Sequence, residues 1–203
     1  MPAIRTEVRS LLRLATPIIV AQLATTAMGF VDAVMAGRVS PEDLAAVALG
    51  NSIWIPVYLL MTGILLATTP KVAQRFGAGQ QSEIGPLVRQ ALWLALVVGL
   101  LSSALLLGAE PILHLMKVDP QLIGPSMGYL HGIAFGFPGI ALYYVLRCYS
   151  DGLGRTRPSM VIGLCGLLLN IPLNWVLIYG HFGMPALGGV GCGWATGIVG
   201  WFM

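Results

Sequence analysis

Long apolar runs, separated by short charged or glycine- and proline-rich segments, set the pattern of this chain. Uncharged stretches cover residues 14–31, 44–70, 90–109, 120–146 and 158–203. Each can cross a bilayer as a helix, which takes about 20 apolar residues. The last stretch is divided by the turn-rich segment from Gly180 to Pro185, so it holds two spans. The pattern predicts an all-α membrane protein, a six-helix bundle with spans near 12–37, 44–69, 87–109, 122–147, 157–179 and 188–203. The segment 70–86 is read as the longest connection.

Composition supports lipid as the solvent. Hydrophobic residues make up 57% of the 203 positions and charged ones 9%, against about 25% charged in a soluble domain. Placing alternate helix ends on one side groups Arg5, Arg9, Arg13, Lys71, Arg75, Arg89, Arg147, Arg155 and Arg157, and leaves only Arg38 and Lys117 opposite. The positive-inside rule then puts both termini in the cytoplasm. A cleaved leader is the competing reading of the first span, but removing it would leave five helices and spoil the alternation of charge. The net charge of +3 therefore reports topology and not nucleic-acid binding.

Several candidate chemistries fall away. Cys148, Cys165 and Cys192 lack a metal-ligand spacing and are too scattered for a disulfide framework. His114, His131 and His181 do not cluster, and loop or interfacial positions account for them. Gly124-Pro125-Ser126-Met127-Gly128 fits G-x-S-x-G, but that nucleophile motif works only on a strand turning into a helix. Ser126 is read as a capping serine beside a packing glycine, and the chain as no enzyme. No cofactor is implied.

Two glycine rows, Gly128-Gly132-Gly136 and Gly189-Gly193-Gly197, repeat every four residues. Such rows let helix backbones approach closely, either at a dimer face or at a seam within one bundle. Pro17, Pro56, Pro138 and Pro172 fall inside predicted spans and mark bent helices.

Asp32 is the costly residue, because a carboxylate within a span opposes insertion by about 2.5–3.5 kcal/mol at the helix centre. Gly29, Thr25 and Gln22 lie on the same helical face and form a polar stripe that can turn to the bundle interior. Asn170 and Asn174 are spaced i,i+4 around Pro172. Counted inward from the outer helix ends, Asp32, Asn174, Thr196 and Asn170 lie about 7.5, 9, 12 and 15 Å deep. A carboxylate, two amides and a hydroxyl at matched depth on three helices suit a proton or a desolvated cation. Two blander readings stand beside this: Asp32 snorkels to the outer interface, and the asparagines only join helices by hydrogen bonds.

The run Met28-Gly29-Phe30-Val31-Asp32-Ala33-Val34-Met35-Ala36-Gly37-Arg38, followed by Asp43-Leu44-Ala45-Ala46-Val47-Ala48, resembles the first span and loop of multidrug and toxic compound extrusion (MATE) transporters of the NorM type. So do the segment from Thr69 to Gly79, the loop from Gly152 to Pro158, and Asn170-Ile171-Pro172-Leu173-Asn174 with the glycine-rich start of the sixth span. The resemblance covers the whole chain. It implies an inner-membrane secondary antiporter of two six-helix lobes, twelve helices in all, that exports cationic drugs in exchange for Na+ or H+. The family's amino-lobe acidic residue maps onto Asp32, and its polar partners onto Asn170, Asn174 and Thr196. Asp32 and Asn174 would be the metal ligands if the ion is Na+. Some relatives carry a second carboxylate where this chain has Asn174.

By the same resemblance the chain is the amino-terminal lobe, with lipid, cationic substrates and a missing carboxyl-terminal lobe or second copy as partners. The sixth span stops at Met203 after only 16 residues, short of a full crossing; a gene fragment, a truncated chain and a half-size protein all fit. A lipid-linked oligosaccharide flippase of the same superfamily and a non-transporting membrane subunit are the alternatives. The flippase is disfavoured because no basic residue lies mid-span.

Overall fold

A computed structural model describes the backbone of residues 2–203 and the side chains of Leu11, Leu12 and residues 15–203. The side chains of Arg5, Arg9 and Arg13 lie outside the described residues. The chain forms α1 (Pro2–Gly37), α2 (Pro41–Leu66), α3 (Thr68–Gly77), α4 (Gln81–Leu107), α5 (Glu110–Leu115), α6 (Pro120–Gly152), α7 (Arg157–Tyr179) and α8 (Gly189–Phe202). No strand occurs among the described residues.

Among the described residues, five helices are long and apolar enough to cross a membrane: α1 from Ala15 onward, α2 continuing into α3, α4, α6 and α7. The fourteen residues of α8 rise about 21 Å, short of a roughly 30 Å hydrocarbon core. α6 is the central helix. Its most apolar window is 67% buried, against 22–33% for the other four, because α2, α3, α4 and α8 all pack on it. α1 packs mainly on α7, and α8 lies between α7 and α6. The outer faces carry exposed apolar side chains such as Leu60, Leu101 and Leu168, as lipid contact requires.

The two glycine rows face each other. A β-carbon on Gly132 would meet the backbone of Gly193 and Trp194, one on Gly136 the backbone of Gly197, and one on Gly128 the side chain of Val190. The rows are thus the seam between α6 and α8 inside this bundle. Pro17, Pro56, Pro138 and Pro172 lie within α1, α2, α6 and α7, where each removes a backbone donor from the helix.

The segment expected to be the longest connection is mostly helical. Only residues 78–80 separate α3 from α4, with Gly79 at φ +75° making the turn. α3 is amphipathic: Val72 is buried, packing with the Thr69 backbone against Gly152 of α6, while Arg75 reaches across the turn to pair with Glu83. Packing of one face on α6 holds a helix that its polar composition hid.

Ser126 also departs from expectation. Asp119 caps α6, accepting from the Gln121 amide at 3.0 Å, with Pro120 at the first helical position. Ser126 therefore lies inside α6, fully buried, with a hydroxyl that has no partner. His131 likewise sits within α6 on an exposed face, whereas His114 is on α5 and His181 stacks on Trp175 in the α7–α8 loop.

Candidate functional site

Asp32 is buried at 4% exposure, five residues before the end of α1 at Gly37. Its side chain points into the bundle and does not reach for the outer interface. Asn170 and Asn174 come from one face of α7, and Thr196 from the second turn of α8. The Asn174 amide donates to Asp32 Oδ1 at 2.5 Å, and the Asn170 amide to the same oxygen at 3.2 Å. Thr196 Oγ1 donates to Asp32 Oδ2 at 3.0 Å. All four sequence-derived candidates thus meet in one cluster.

Hydrogen bonding within the cluster leaves one defined gap. The Asn174 amide also donates to Asn170 Oδ1 at 2.9 Å, so Asn170 is used as donor and acceptor. Asn174 Oδ1 is buried with no partner. An orphaned buried carbonyl costs about 1–3 kcal/mol, so this oxygen favours a donor or a cation. Three donors satisfy lone pairs of Asp32 but leave its net charge uncompensated. Among the described residues no three His, Cys, Asp or Glu side chains gather to hold a metal. One carboxylate with amide and hydroxyl oxygens is instead a hard, all-oxygen donor set.

The neighbourhood extends beyond the expected residues. Tyr129 of α6 donates to Asn51 Oδ1 of α2 at 2.8 Å, and Trp54 Nε1 donates to the same oxygen at 2.7 Å. Asn51 and Tyr129 line, with Asp32 and Thr196, a cavity of about 120 Å³. Asn51 was the traceable one, since it lies about 15 Å into its helix from Pro41, at the depth of the other polar groups. Tyr129 carried no such signal, because a tyrosine in an apolar helix reads as packing. The polar stripe on α1 does not all turn inward: Gln22 is exposed, and Thr25 lines the cavity but bonds back to Ala21 O at 3.1 Å.

A second carboxylate fixes the helix that carries Thr196. Ser40 caps α2, with its hydroxyl accepting from the Asp43 amide at 3.0 Å and donating to Asp43 Oδ2 at 2.7 Å. Asp43 Oδ1 accepts from the Gly189 amide at 2.5 Å. The first turn of α2 thereby caps α8 from outside. A β-carbon at Gly188, which has φ +56°, would collide with the Asp43 carboxylate.

Fold and cluster define an all-helical membrane protein with a buried acidic cluster built from helices distant in sequence. The MatE family model matches residues 17–176, and the chain belongs to that family of transporters. It is 75% identical over 201 residues to the multidrug resistance protein PmpM of Pseudomonas aeruginosa, covering 98% of this chain and 42% of that protein. It is 52% identical over 198 residues to the multidrug resistance protein MdtK of Yersinia pestis, covering 97% and 43%. A crystal structure of the Vibrio cholerae MATE transporter VcmN in the bent form superposes with TM-score 0.88 at 19% identity, over 98% of this chain and 45% of that one. A MOP superfamily transporter from Pyrococcus furiosus superposes with TM-score 0.84 at 24% identity, over 94% and 42%. The chain is a homologue of MATE multidrug resistance transporters and a multi-pass membrane protein, not an enzyme. It spans less than half the length of these relatives.

Proposed function

We propose that this chain is the amino-terminal lobe of an inner-membrane antiporter that expels cationic organic compounds in exchange for Na+ or H+, with Asp32 as the coupling group. The observation that carries this reading is the buried Asp32 cluster, with its uncompensated charge and the free Asn174 Oδ1 beside it. Asp32, Asn174 and Thr196 offer oxygens to a Na+ ion; a proton on Asp32 neutralises the same charge. The two occupants compete for one position. A cavity of about 120 Å³ suits an ion with water, whereas pockets for drug-sized ligands run to about 300–1,000 Å³. The organic cation therefore binds mainly outside it, in the space between this lobe and the second. The acidic charge of the cluster suits cations over the phosphates of a lipid-linked oligosaccharide.

The test uses proteoliposomes holding this lobe together with its carboxyl-terminal lobe. An imposed Na+ or pH gradient should drive uptake of a cationic dye, and a neutral analogue of similar size should not move. Dye flux indifferent to both gradients overturns the antiport reading.

The excess of basic residues on one side supports a cytoplasmic amino terminus. Cysteine placed at Gly79, in an otherwise cysteine-free background, should react with an impermeant thiol reagent only from the cytoplasmic side. Cysteine at His181 should react only from the periplasmic side. Reaction of both from one side removes this topology.

A further inference from the structure

The cavity that begins at Asp32 does not end there. Its lining continues along α6 through Tyr143 and Tyr144 to Arg147, with Tyr58 of α2 opposite. Tyr129 stands beside the Asp32 cluster, and Arg147 is eighteen residues further along the same helix (147 − 129 = 18), about 27 Å by helix rise. One narrow space thus has an acidic group near one end and a basic group near the other.

Arg147 is not a surface residue. Its side chain is 13% exposed and that of its partner Asp151 is 18% exposed. The pair is spaced i,i+4, and the ordinary reading is a helix-stabilising ion pair, worth a few tenths of a kcal/mol when exposed. Geometry argues for more. Nε of Arg147 is 3.8 Å from Asp151 Oδ2, beyond hydrogen-bonding distance, and Arg147 lines the cavity whereas Asp151 does not, so the positive member of the pair faces that space. Asp151 is itself anchored from another helix, accepting from Ser159 Oγ of α7 at 3.4 Å. The remaining groups along this stretch, the three tyrosines, are neutral. A fixed positive charge lining a narrow low-dielectric passage repels cations strongly.

We infer that Arg147, held by Asp151, is a charge barrier that keeps cations from passing between the Asp32 cavity and the α6 end near Gly152. An exchanger needs such a barrier while its site is open to the opposite side, because an ion that then crosses from Asp32 to the far end runs down its gradient without moving substrate. This rests on the ion-coupled reading proposed above, and makes Arg147 a residue that sets coupling.

The experiment measures substrate-independent cation flux into proteoliposomes holding both lobes, with radioactive sodium for Na+ and an internal pH dye for H+. Arg147→Gln should raise that flux roughly tenfold or more, and Arg147→Lys should keep it at the wild-type level. Adding Asp32→Asn to Arg147→Gln should bring the leak down again, since the ion passes through that site. If Arg147→Gln does not fold, Arg147→Met keeps the aliphatic stem and removes only the charge, and should leak likewise. Folded charge-removing variants with wild-type flux overturn the barrier, as does an Arg147→Lys variant that leaks as much as Arg147→Gln. Gradient-driven dye uptake by the wild-type protein is read in the same vesicles. Its absence counts against the antiport reading, while the leak comparison reports on Arg147 alone.

Discussion

Asp32→Asn in the two-lobe transporter is expected to abolish gradient-driven efflux while folded protein stays near the wild-type amount. The carboxamide retains an oxygen that can accept from Asn170 and Asn174, and its nitrogen faces Thr196, whose hydroxyl can turn to accept. The shape of the cluster survives. Its charge does not, and removing a unit charge about 4 Å from a cation in a partly screened site forfeits roughly 4 kcal/mol, about a thousandfold in ion affinity. Asn174→Ala should be milder: it removes hydrogen bonds to a charged group worth about 1.5–3 kcal/mol and leaves the carboxylate. Dye efflux against external Na+ concentration and against pH, with protein quantified in the membrane, reads both variants. Normal efflux with unchanged gradient dependence in Asp32→Asn makes that residue a bystander. Loss of folded protein assigns it a structural role.

Gly193→Val is expected to cause the largest loss of stability among single substitutions in the seam. A β-carbon at Gly193 would run into the backbone of Tyr129, and one at Gly132 into the backbone of Gly193 and Trp194. Backbone on both sides cannot rotate away as a side chain can, so α6 and α8 must separate. Overpacking of this kind costs about 1–3 kcal/mol, and separation also draws Thr196 and Cys192 from Asp32, whose carbonyl lies 3.5 Å from Cys192 Sγ. Gly63→Ala is the control. Gly63 is exposed on α2 with open space around it, and alanine there should stabilise the helix by about 0.5–1 kcal/mol. Thermal unfolding in detergent should place Gly193→Val well below wild type and Gly63→Ala at or above it. Equal melting temperatures for all three remove the seam as a source of stability.

Much of this molecule follows from its sequence alone. The apolar runs require a helical membrane protein, because a backbone without water must bond to itself. Helical periodicity also decides which residues share a face and how deep they lie. On that ground Asp32, Asn170, Asn174 and Thr196 could be grouped before any helix was placed, and the two glycine rows recognised as close-approach surfaces. Depth and face are properties of one helix at a time.

Which helix meets which is a property of pairs, and only the tertiary structure decided it. Asp32 bonds to residues 138, 142 and 164 positions away, and no periodicity selects a partner at that separation. The glycine rows fitted a dimer face as well as an internal seam until α6 and α8 were set against each other. Tyr129 entered the polar neighbourhood through Asn51 on another helix, and Asp43 reached α8 across two turns. The same limit explains the misplaced features. α3 is polar enough to read as loop and is helical because one face packs on α6. Ser126 looked like a cap, but Asp119 starts the helix earlier. Gln22 belonged to the right stripe on the wrong side of a boundary set by α2 and α7. Arg147 counted at first only toward the orientation of the chain; the cavity beside it, enclosed by three other helices, gave its charge something to act on.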